Sequence, residues 1–255
     1  MKLEMGKNLE TFKGCVSLMT KILEDACLVV TKEGIHVLAM DPSHVAMTDL
    51  HIKPELFETF TASDEEEKVF LNVKELIKFL DRLGKDEDVT LETSAEKDTV
   101  PRLSIIAKKQ KAKRRFSIDL LEPSEEEVPK PKIFFKSQAR ILTRSLKQGM
   151  ADAALVSEHC RITASGEKIS IRATGDLGSS ETEWEKGSDD LLDLKAEEES
   201  TATYTLNYLT DLIGAAQSLS EEVIVELSTD MPLKLSFDTG KINCQLYLAP
   251  CIGCT

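Results

Sequence analysis

The chain has 255 residues, of which 41% are hydrophobic and 30% are charged, and its formal net charge is −13. This composition is typical of a globular protein and excludes an intrinsically disordered chain. The apolar runs fall far short of the ~20 residues that a membrane span needs, and residues 1–10 lack the apolar region of a secretory signal, so we expect an intracellular protein without membrane contact.

The first half of the chain predicts a strand, a helix, several strands, a second helix and several more strands. In the first helix, apolar residues at helical spacing form a buried stripe, which leaves Lys13 and Lys21 facing out. In the second helix, Lys74 and Lys78 recur opposite the buried residues. Asn72 is placed to cap this second helix.

A basic run follows late in the first half. Residues 108–116 read KKQKAKRRF and place six basic residues in eight positions of an acidic chain. Three interpretations compete: a nucleic-acid or localisation segment, an ordinary solvated face, or one half of a charge-matched interface.

Residues 120–134 contain three prolines and an acidic run. Such a segment does not form a core element, so we interpret it as an extended, exposed connector. The sequence therefore predicts a first domain over residues 1–119, a connector over 120–134 and a second domain over 135–255.

The second half repeats the pattern of the first. Residues 69–92 and 204–227 both read as strand, Leu-Asn, helix, acidic turn and strand, and Asp-Ala-x-Leu-Val occurs at 25–29 and again at 152–156. Asn207 is placed to cap the fourth helix. The chain is therefore interpreted as one fold used twice.

The third predicted helix carries Arg140, Arg144 and Lys147 at positions i, i+4 and i+7, which form one basic stripe. The fourth exposes small or neutral groups and Asp211. Three helices of four are therefore basic on their outer faces in an acidic chain. A basic face attracts a phosphate backbone without sequence preference.

Several segments resemble the proliferating cell nuclear antigen family of DNA sliding clamps, of the archaeal type. They are MDPSHVAMTDL (40–50), the connector around Val128 and Pro129, ATGDLGSSETEW (173–184), STDMPLKLSF (228–237) and LYLAP (246–250). The resemblance covers essentially the whole chain. It implies an α+β fold with two similar clamp domains, each with antiparallel sheets backed by two helices, in a ring of three chains.

The implied function is that of a DNA sliding clamp, or processivity factor. Such a ring encircles duplex DNA and tethers DNA polymerase, the clamp loader, flap endonuclease and DNA ligase through short peptide motifs, inside an archaeal cell or, for a eukaryotic member, in the nucleus. We expect neither enzymatic activity nor a cofactor or metal, since no phosphate-binding loop, nucleophile elbow or zinc-protease motif occurs.

The resemblance places three groups of site residues. The residues that face DNA are Lys13, Lys21, Lys74, Lys78, Arg140, Arg144 and Lys147. The pocket for partner peptides is formed by Met40, His44, Val45, Met47, Val128, Pro129, Pro232, Tyr247, Ala249 and Pro250. The subunit interface pairs a basic edge strand with an acidic one and comprises Lys111, Lys113, Arg115, Phe116, Ile118, Asp176, Glu181 and Glu183.

Two features depart from the family pattern. Glu126 stands where eukaryotic members have a leucine, which makes the rim of the pocket more polar. Cys251 and Cys254 form a Cys-x-x-Cys where the family usually has a charged tail, and no second Cys or His pair stands at metal-ligand spacing.

The residues leave three functions open. The first is the sliding clamp, as a homotrimer or a heterotrimer. The second is a clamp-like scaffold, or a subunit of a heterotrimeric ring, that binds proteins without its own DNA role. The third is a thiol or metal protein that uses the C-terminal cysteines.

Overall fold

The computed structural model describes residues 1–94, 100–122 and 128–254. The chain divides into two compact units: the first comprises Met1–Met40, Thr48–Pro129 and Thr239–Asn243, and the second comprises Asp41–Met47, Lys130–Asp238 and Cys244–Thr255. Among the described residues, no helix is long and apolar enough to cross a membrane.

The elements of the first half, in chain order, are β1 (Lys2–Glu4), α1 (Leu9–Thr20), β2 (Asp25–Thr31), β3 (Gly34–Met40), β4 (Ala46–Ile52), β5 (Thr59–Thr61), β6 (Glu67–Asn72), α2 (Val73–Leu80), β7 (Asp88–Ser94), β8 (Arg102–Lys109) and β9 (Ala112–Asp119). Short 3-10 turns occupy Gly6–Asn8 and Pro54–Leu56. One sheet has the order β5-β1-β7-β8-β9, and part of another has the order β6-β2-β3-β4. The pairs β7–β8, β8–β9 and β2–β6 are antiparallel, and β9 forms an edge.

The elements of the second half are β10 (Ser137–Leu142), α3 (Thr143–Ala154), β11 (His159–Ala164), β12 (Lys168–Gly175), β13 (Gly178–Glu185), β14 (Leu191–Ala196), β15 (Ser200–Thr205), α4 (Leu206–Gln217), β16 (Glu222–Leu227), β17 (Leu233–Asp238) and β18 (Ile242–Leu248). One sheet has the order β13-β12-β11-β15, with β13 at its edge, and the order β14-β10-β16-β17-β18 forms part of another. The division between the two units passes through β4 and β18.

Both halves follow the predicted order of strand, helix, strands, helix, strands, and the predicted α+β fold with repeated antiparallel sheets and helix pairs is confirmed. In α1 the stripe of Leu9, Phe12, Val16 and Met19 is almost fully buried. Burial of each such side chain contributes about 1.5–3 kcal/mol relative to exposure. The stripe therefore anchors α1 in the core, and α1 also packs against α2.

The predicted cap of the second helix is confirmed, whereas the cap of the fourth is wrong. The Asn72 side chain accepts a 2.9 Å hydrogen bond from the backbone N–H of Glu75 at the start of α2. In the second unit α4 begins at Leu206, so that Asn207 lies inside the helix and Thr205 takes the cap position without a side-chain bond. A boundary shift of one residue removes the geometry that capping needs.

The repeated Asp-Ala-x-Leu-Val segments are not structurally equivalent. The first copy begins β2, whereas Asp152, Ala153 and Ala154 in the second copy end α3. Alanine is the best helix former, while the first copy continues with the β-branched pair Val29 and Val30. Local propensity therefore favours a strand in the first copy and a helix end in the second, although the two share the same five-residue pattern.

Arg140 is not on a helix, contrary to the prediction. It lies in β10, which pairs with β14 on one side and β16 on the other, and α3 begins only at Thr143. The neighbouring residues Ala139 and Ile141 are both buried, and this alternation has the period of a strand rather than of a helix. The basic stripe of α3 therefore consists of Arg144 and Lys147.

Candidate functional site

The second helix exposes a basic face, as expected. The side chains of Lys74 and Lys78 are about half and two-thirds exposed, and each has one carboxylate neighbour, Glu24 at 3.5 Å and Glu75 at 2.5 Å. Ion pairs at such exposure are weak and exchange readily with other anions. Lys21, which follows α1, is also exposed.

Lys13 differs from the expected outward orientation. Its side chain is only 13% exposed, and its ammonium donates hydrogen bonds to the backbone carbonyl of Leu83 at 2.8 Å and to Glu10 at 2.9 Å. The amine therefore satisfies a carbonyl of the segment after α2. Both hydrogen-bond partners of the ammonium lie within the first unit.

In the second unit the predicted DNA-facing residues lie on one helix, α3, and one strand, β10. Arg144 is 73% exposed and lies 3.8 Å from a carboxylate oxygen of Asp190. Lys147 is exposed and donates a 2.8 Å hydrogen bond to Gln217 of α4. Arg140 lies on β10, and its guanidinium is 3.0 Å from a carboxylate oxygen of Glu222. α4 itself carries no basic residue.

The basic run forms the β8–β9 hairpin and the edge strand β9. Among the described residues, Lys111 and Lys113 have no ion-pair partner, and Arg115 lies 3.8 Å from Glu92. Arg114 is instead held by Glu87, which it contacts at 2.5 Å and 2.7 Å. The backbone N–H of Gly84 and then Arg114 lower the pKa of Glu87. Within the run, the charge of Arg114 is therefore neutralised by Glu87, whereas the charges of Lys111 and Lys113 remain open to an external partner.

The apolar residues of β9 point toward their own unit. Phe116 is half-buried and its ring centroid lies 5.3 Å from that of Phe79 on α2. Ile118, which we expected to contact a neighbouring subunit, is 7% exposed. Its register partner is Leu103 on β8, and both side chains are part of the core. Ile118 is therefore a core residue, and Phe116 alone of the two remains partly accessible.

The acidic edge strand β13 alternates cleanly. Glu181, Glu183 and Glu185 are exposed, whereas Trp184, which lies between the last two, is buried. Glu183 pairs with Lys168 on β12. Asp176 lies in the turn that joins β12 to β13. The strand therefore presents a row of carboxylates beside its unpaired backbone edge.

Trp184 fixes this strand to α3. Its indole N–H donates a 2.8 Å hydrogen bond to Ser145, whose hydroxyl donates in turn to Asp190 at 3.0 Å. A Cβ atom placed on Gly149 would lie 2.6 Å from the indole ring. Only glycine admits the ring at this position.

A buried carboxylate organises the loop between β3 and β4. Asp41, which is 5% exposed, accepts hydrogen bonds from the backbone N–H groups of Ser43, Val45 and Ala46 at 3.2, 2.7 and 2.6 Å. Tyr208 on α4 donates its hydroxyl to the same carboxylate at 3.0 Å. Burial raises the pKa of Tyr208, and Asp41 acts in the same direction.

This loop presents His44, which is exposed and adopts a left-handed backbone with φ of 57°. The sequence pattern indicated His44 and Val45 but not Asp41 and Tyr208, whose carboxylate and hydroxyl hold the loop. The Asp-Pro-Ser order was the available signal, because an aspartate often accepts bonds from backbone N–H groups two residues on.

The loop meets the segment that follows β18. The backbone N–H of Ala249 donates a 2.8 Å hydrogen bond to the carbonyl of Val45, which brings Ala249 and Pro250 beside the loop. Two other predicted pocket residues belong to the core: Met47 is 2% exposed and Tyr247 is 7% exposed. Close packing in the hydrophobic interior leaves these two side chains little surface to offer a peptide.

The remaining predicted pocket residues are partly or fully exposed. Pro232 belongs to the second unit, whereas Met40, Val128 and Pro129 belong to the first. Glu126 and the rest of residues 123–127 in the predicted connector lie outside the described residues.

Residues 3–126 match the family model described as proliferating cell nuclear antigen, N-terminal domain, and residues 131–252 match the model for the C-terminal domain of the same protein. The chain belongs to the proliferating cell nuclear antigen family. The resemblance seen in the sequence is thereby confirmed.

Relatives and solved structures agree with this membership. The DNA polymerase sliding clamp of Methanopyrus kandleri is 31% identical over 242 residues, which are 94% of this chain and 93% of the relative. That of Thermofilum pendens is 29% identical over 240 residues, 94% of each chain. The proliferating cell nuclear antigen of Thermococcus kodakaraensis superimposes with a TM-score of 0.87 at 24% identity, over 98% of this chain and 99% of the other.

The structure of a PCNA2–PCNA3 complex from Sulfolobus tokodaii contains a chain with the same fold. It matches with a TM-score of 0.86 at 22% identity and covers 98% of this chain and 99% of that chain. At this level of identity the two structural likenesses show the fold alone.

Proposed function

We propose that the chain is a subunit of a DNA sliding clamp, a ring of three chains that encircles duplex DNA and keeps DNA polymerase on its template. The observation that carries the proposal is membership of the family along both halves, with relatives that bear the name DNA polymerase sliding clamp. The protein acts inside the cell, on the chromosome, as a binding platform without catalysis or a required cofactor.

Contact with DNA is proposed for the exposed basic residues of the helices and their flanks. These are Lys21, Lys74, Lys78, Arg140, Arg144 and Lys147, whereas Lys13 is left out because its ammonium is bound to Leu83. Lys and Arg near phosphates release counterions, and this attraction is the same for every base sequence. A ring held by such diffuse attraction slides, since no base contact fixes its position.

Charge reversal tests the DNA contact. In a variant with Arg144→Glu and Lys147→Glu, we expect clamp-dependent primer extension to fall at least about tenfold in moderate salt, and the salt dependence of DNA binding to lose about two units of slope. The measurement is primer extension with polymerase and clamp loader, together with DNA binding across a salt series.

The matched control reverses Lys186 and Lys195, two exposed lysines of the same unit outside the proposed set. It changes the net charge by the same amount and is expected to extend primers normally. Equal loss in both variants, or loss in neither, would contradict the proposed contact. Lost extension with retained peptide binding also distinguishes a clamp from a scaffold that does not use DNA.

Ring closure is proposed to pair the basic edge β9 of one chain with the acidic edge β13 of the next. An edge strand offers unpaired N–H and C=O groups, and a head-to-tail contact between unlike edges generates a closed ring. The opposite charges of Lys111, Lys113 and Arg115 against Asp176, Glu181 and Glu183 steer the two edges together. Three copies of this chain, or this chain with unlike clamp subunits, satisfy the same geometry, and the mass of the purified protein distinguishes them.

Partner enzymes are proposed to dock at the loop that carries His44 and Val45, next to Ala249 and Pro250. Pro232 completes the proposed contacts within the second unit. Met40, Val128 and Pro129 of the first unit stay predictions from the resemblance. The proposed ligands are short peptide motifs of DNA polymerase, the clamp loader, flap endonuclease and DNA ligase. The proposed docking is favoured because Asp41 already holds this loop in one geometry, so that little ordering of the loop would accompany binding.

A further inference from the structure

The C-terminal cysteines meet a histidine from a distant part of the sequence. Cys251 and Cys254 flank a turn in which Gly253 has φ of +82°, and their Cα atoms lie 5.7 Å apart in a disulfide. A ring nitrogen of His159 and the two sulfur atoms all lie within 4.8 Å of one another. One imidazole and two sulfurs are therefore gathered at one point of the second unit.

Backbone structure places these groups. The N–H of Cys251 donates a 2.7 Å hydrogen bond to the carbonyl of Thr203 on β15. β15 pairs with β11, where Thr205 is the register partner of His159. The chain after Pro250 is thus tied to the sheet beside the first residue of β11. The arrangement does not depend on the disulfide alone.

The site is open to ions from solvent. His159 and both cysteines are half-buried, and the two residues between the cysteines are exposed. His159 and Cys254 also line an open groove of about 510 Å³. Because the sulfurs are not sealed in the core, they differ from Cys15 and Cys160, in which burial raises the pKa of the thiol to about 12.

Two thiolates and one imidazole are the donor set that zinc and similar soft divalent ions prefer. Three protein ligands leave a fourth tetrahedral position for water or another small ligand. A disulfide has no thiolate to offer, so the oxidised and the metal-bound forms exclude each other.

We propose that Cys251, Cys254 and His159 form a zinc site when the two cysteines are reduced. A thiol or phosphine reductant supplies two electrons, and with two protons the disulfide becomes two thiols. Binding of Zn²⁺ then releases those two protons as the thiolates coordinate the ion. His159 binds in its neutral form through one ring nitrogen. The site goes beyond the clamp function and does not depend on it.

Cobalt substitution tests the donor set on the full-length protein. With a phosphine reductant present, we expect the protein to bind one Co²⁺ per chain with thiolate-to-cobalt charge-transfer absorption, and Zn²⁺ to abolish that absorption by displacement. The oxidised protein is expected to show no such absorption until the reductant is added. The double variant Cys251→Ser with Cys254→Ser is expected to show none.

His159→Ala is expected to keep a thiolate signal but to bind Zn²⁺ at least about tenfold more weakly in competition with a chromogenic chelator. The matched control is Cys27→Ser, because Cys27 is half-buried like the two C-terminal cysteines but is a free thiol in the first unit. This control is expected to bind like the wild type. His159→Gln serves as a second variant, and circular dichroism verifies that each variant is folded.

A second readout is thermal. Zn²⁺ binds the folded site, so it is expected to raise the melting temperature of the reduced wild type and not that of the double serine variant. The proposal is overturned by unchanged zinc affinity in the double variant, by unchanged affinity in both His159 variants, or by a reduced wild type without charge-transfer absorption. DNA and clamp loader are absent from these assays, so failure here leaves the clamp proposal standing.

Discussion

At the scale of single residues, Asp41 decides the shape of the loop between β3 and β4. Its buried carboxylate receives three backbone N–H groups and the hydroxyl of Tyr208. Hydrogen bonds to an ionised acceptor are about twice as strong as neutral ones, and donors left without an acceptor inside the protein are costly. One side chain therefore maintains the surface that carries His44.

Asp41→Ala removes the acceptor of all four donors. We expect the free energy of unfolding to fall by about 1–3 kcal/mol, because buried donors lose their partner, and the binding of a partner peptide to fall with the loop's order. Urea denaturation and peptide fluorescence anisotropy measure the two effects. Tyr208→Phe is the milder comparison, with an expected loss of about 1 kcal/mol. A variant with unchanged unfolding would show that the loop is held by other contacts.

At the scale of elements, α3 and β13 are joined by the packing of Trp184 over Gly149. The indole cannot easily move aside, since its N–H is bound to Ser145. Because Gly149 has no side chain, α3 can approach β13 closely enough for the indole to pack on the helix backbone. This contact holds β13 in place while its outer edge stays unpaired within the chain.

Two glycine substitutions separate packing from helix propensity. Gly149→Ala is expected to lower the free energy of unfolding by about 1–3 kcal/mol, because the added methyl group overlaps the indole. Gly214→Ala on α4 meets no atom within 4 Å and is expected to raise it by about 0.5–1 kcal/mol. Chemical denaturation of both variants provides the measurement, and equal shifts of the same sign would refute the packing argument.

The sequence allowed the order of the elements to be predicted, because apolar periodicity is a local property. It misplaced Arg140, since Arg140, Arg144 and Lys147 have helical spacing although the first lies on a strand. It also could not show that Met47 and Tyr247 are in the core, because an apolar side chain near a binding loop is compatible with either position. The meeting of His159 with the C-terminal cysteines depends on β11 and β15 pairing, which no local pattern specifies.

At the scale of the whole molecule, the charges are segregated. The chain has a formal net charge of −13, yet β9 with its preceding turn and the helices α2 and α3 expose lysine and arginine. Net acidity keeps protein molecules apart in solution, whereas local basic surfaces attract particular partners. The same composition therefore serves solubility and two proposed contacts, one with phosphates and one with a neighbouring acidic edge.

Ring closure can be tested through β9. Lys113→Glu with Arg115→Glu places acidic residues opposite an acidic edge, so we expect the ring to dissociate into monomers, as measured by light scattering. Lys32→Glu with Lys68→Glu, two exposed positions elsewhere in the first unit, changes the net charge equally and is expected to retain the mass of the wild type. An assembled β9 variant would place the subunit contact on another strand.

The two unpaired strand edges also matter before any ring exists. A freshly made chain carries β9 and β13 with one side of each backbone open, and such edges are where proteins begin to form fibrils. β9 carries three basic residues in a row and β13 carries three glutamates, so two copies that present the same strand repel each other. The side chains that would select the right neighbour thus also protect the solitary chain from amyloid-like growth.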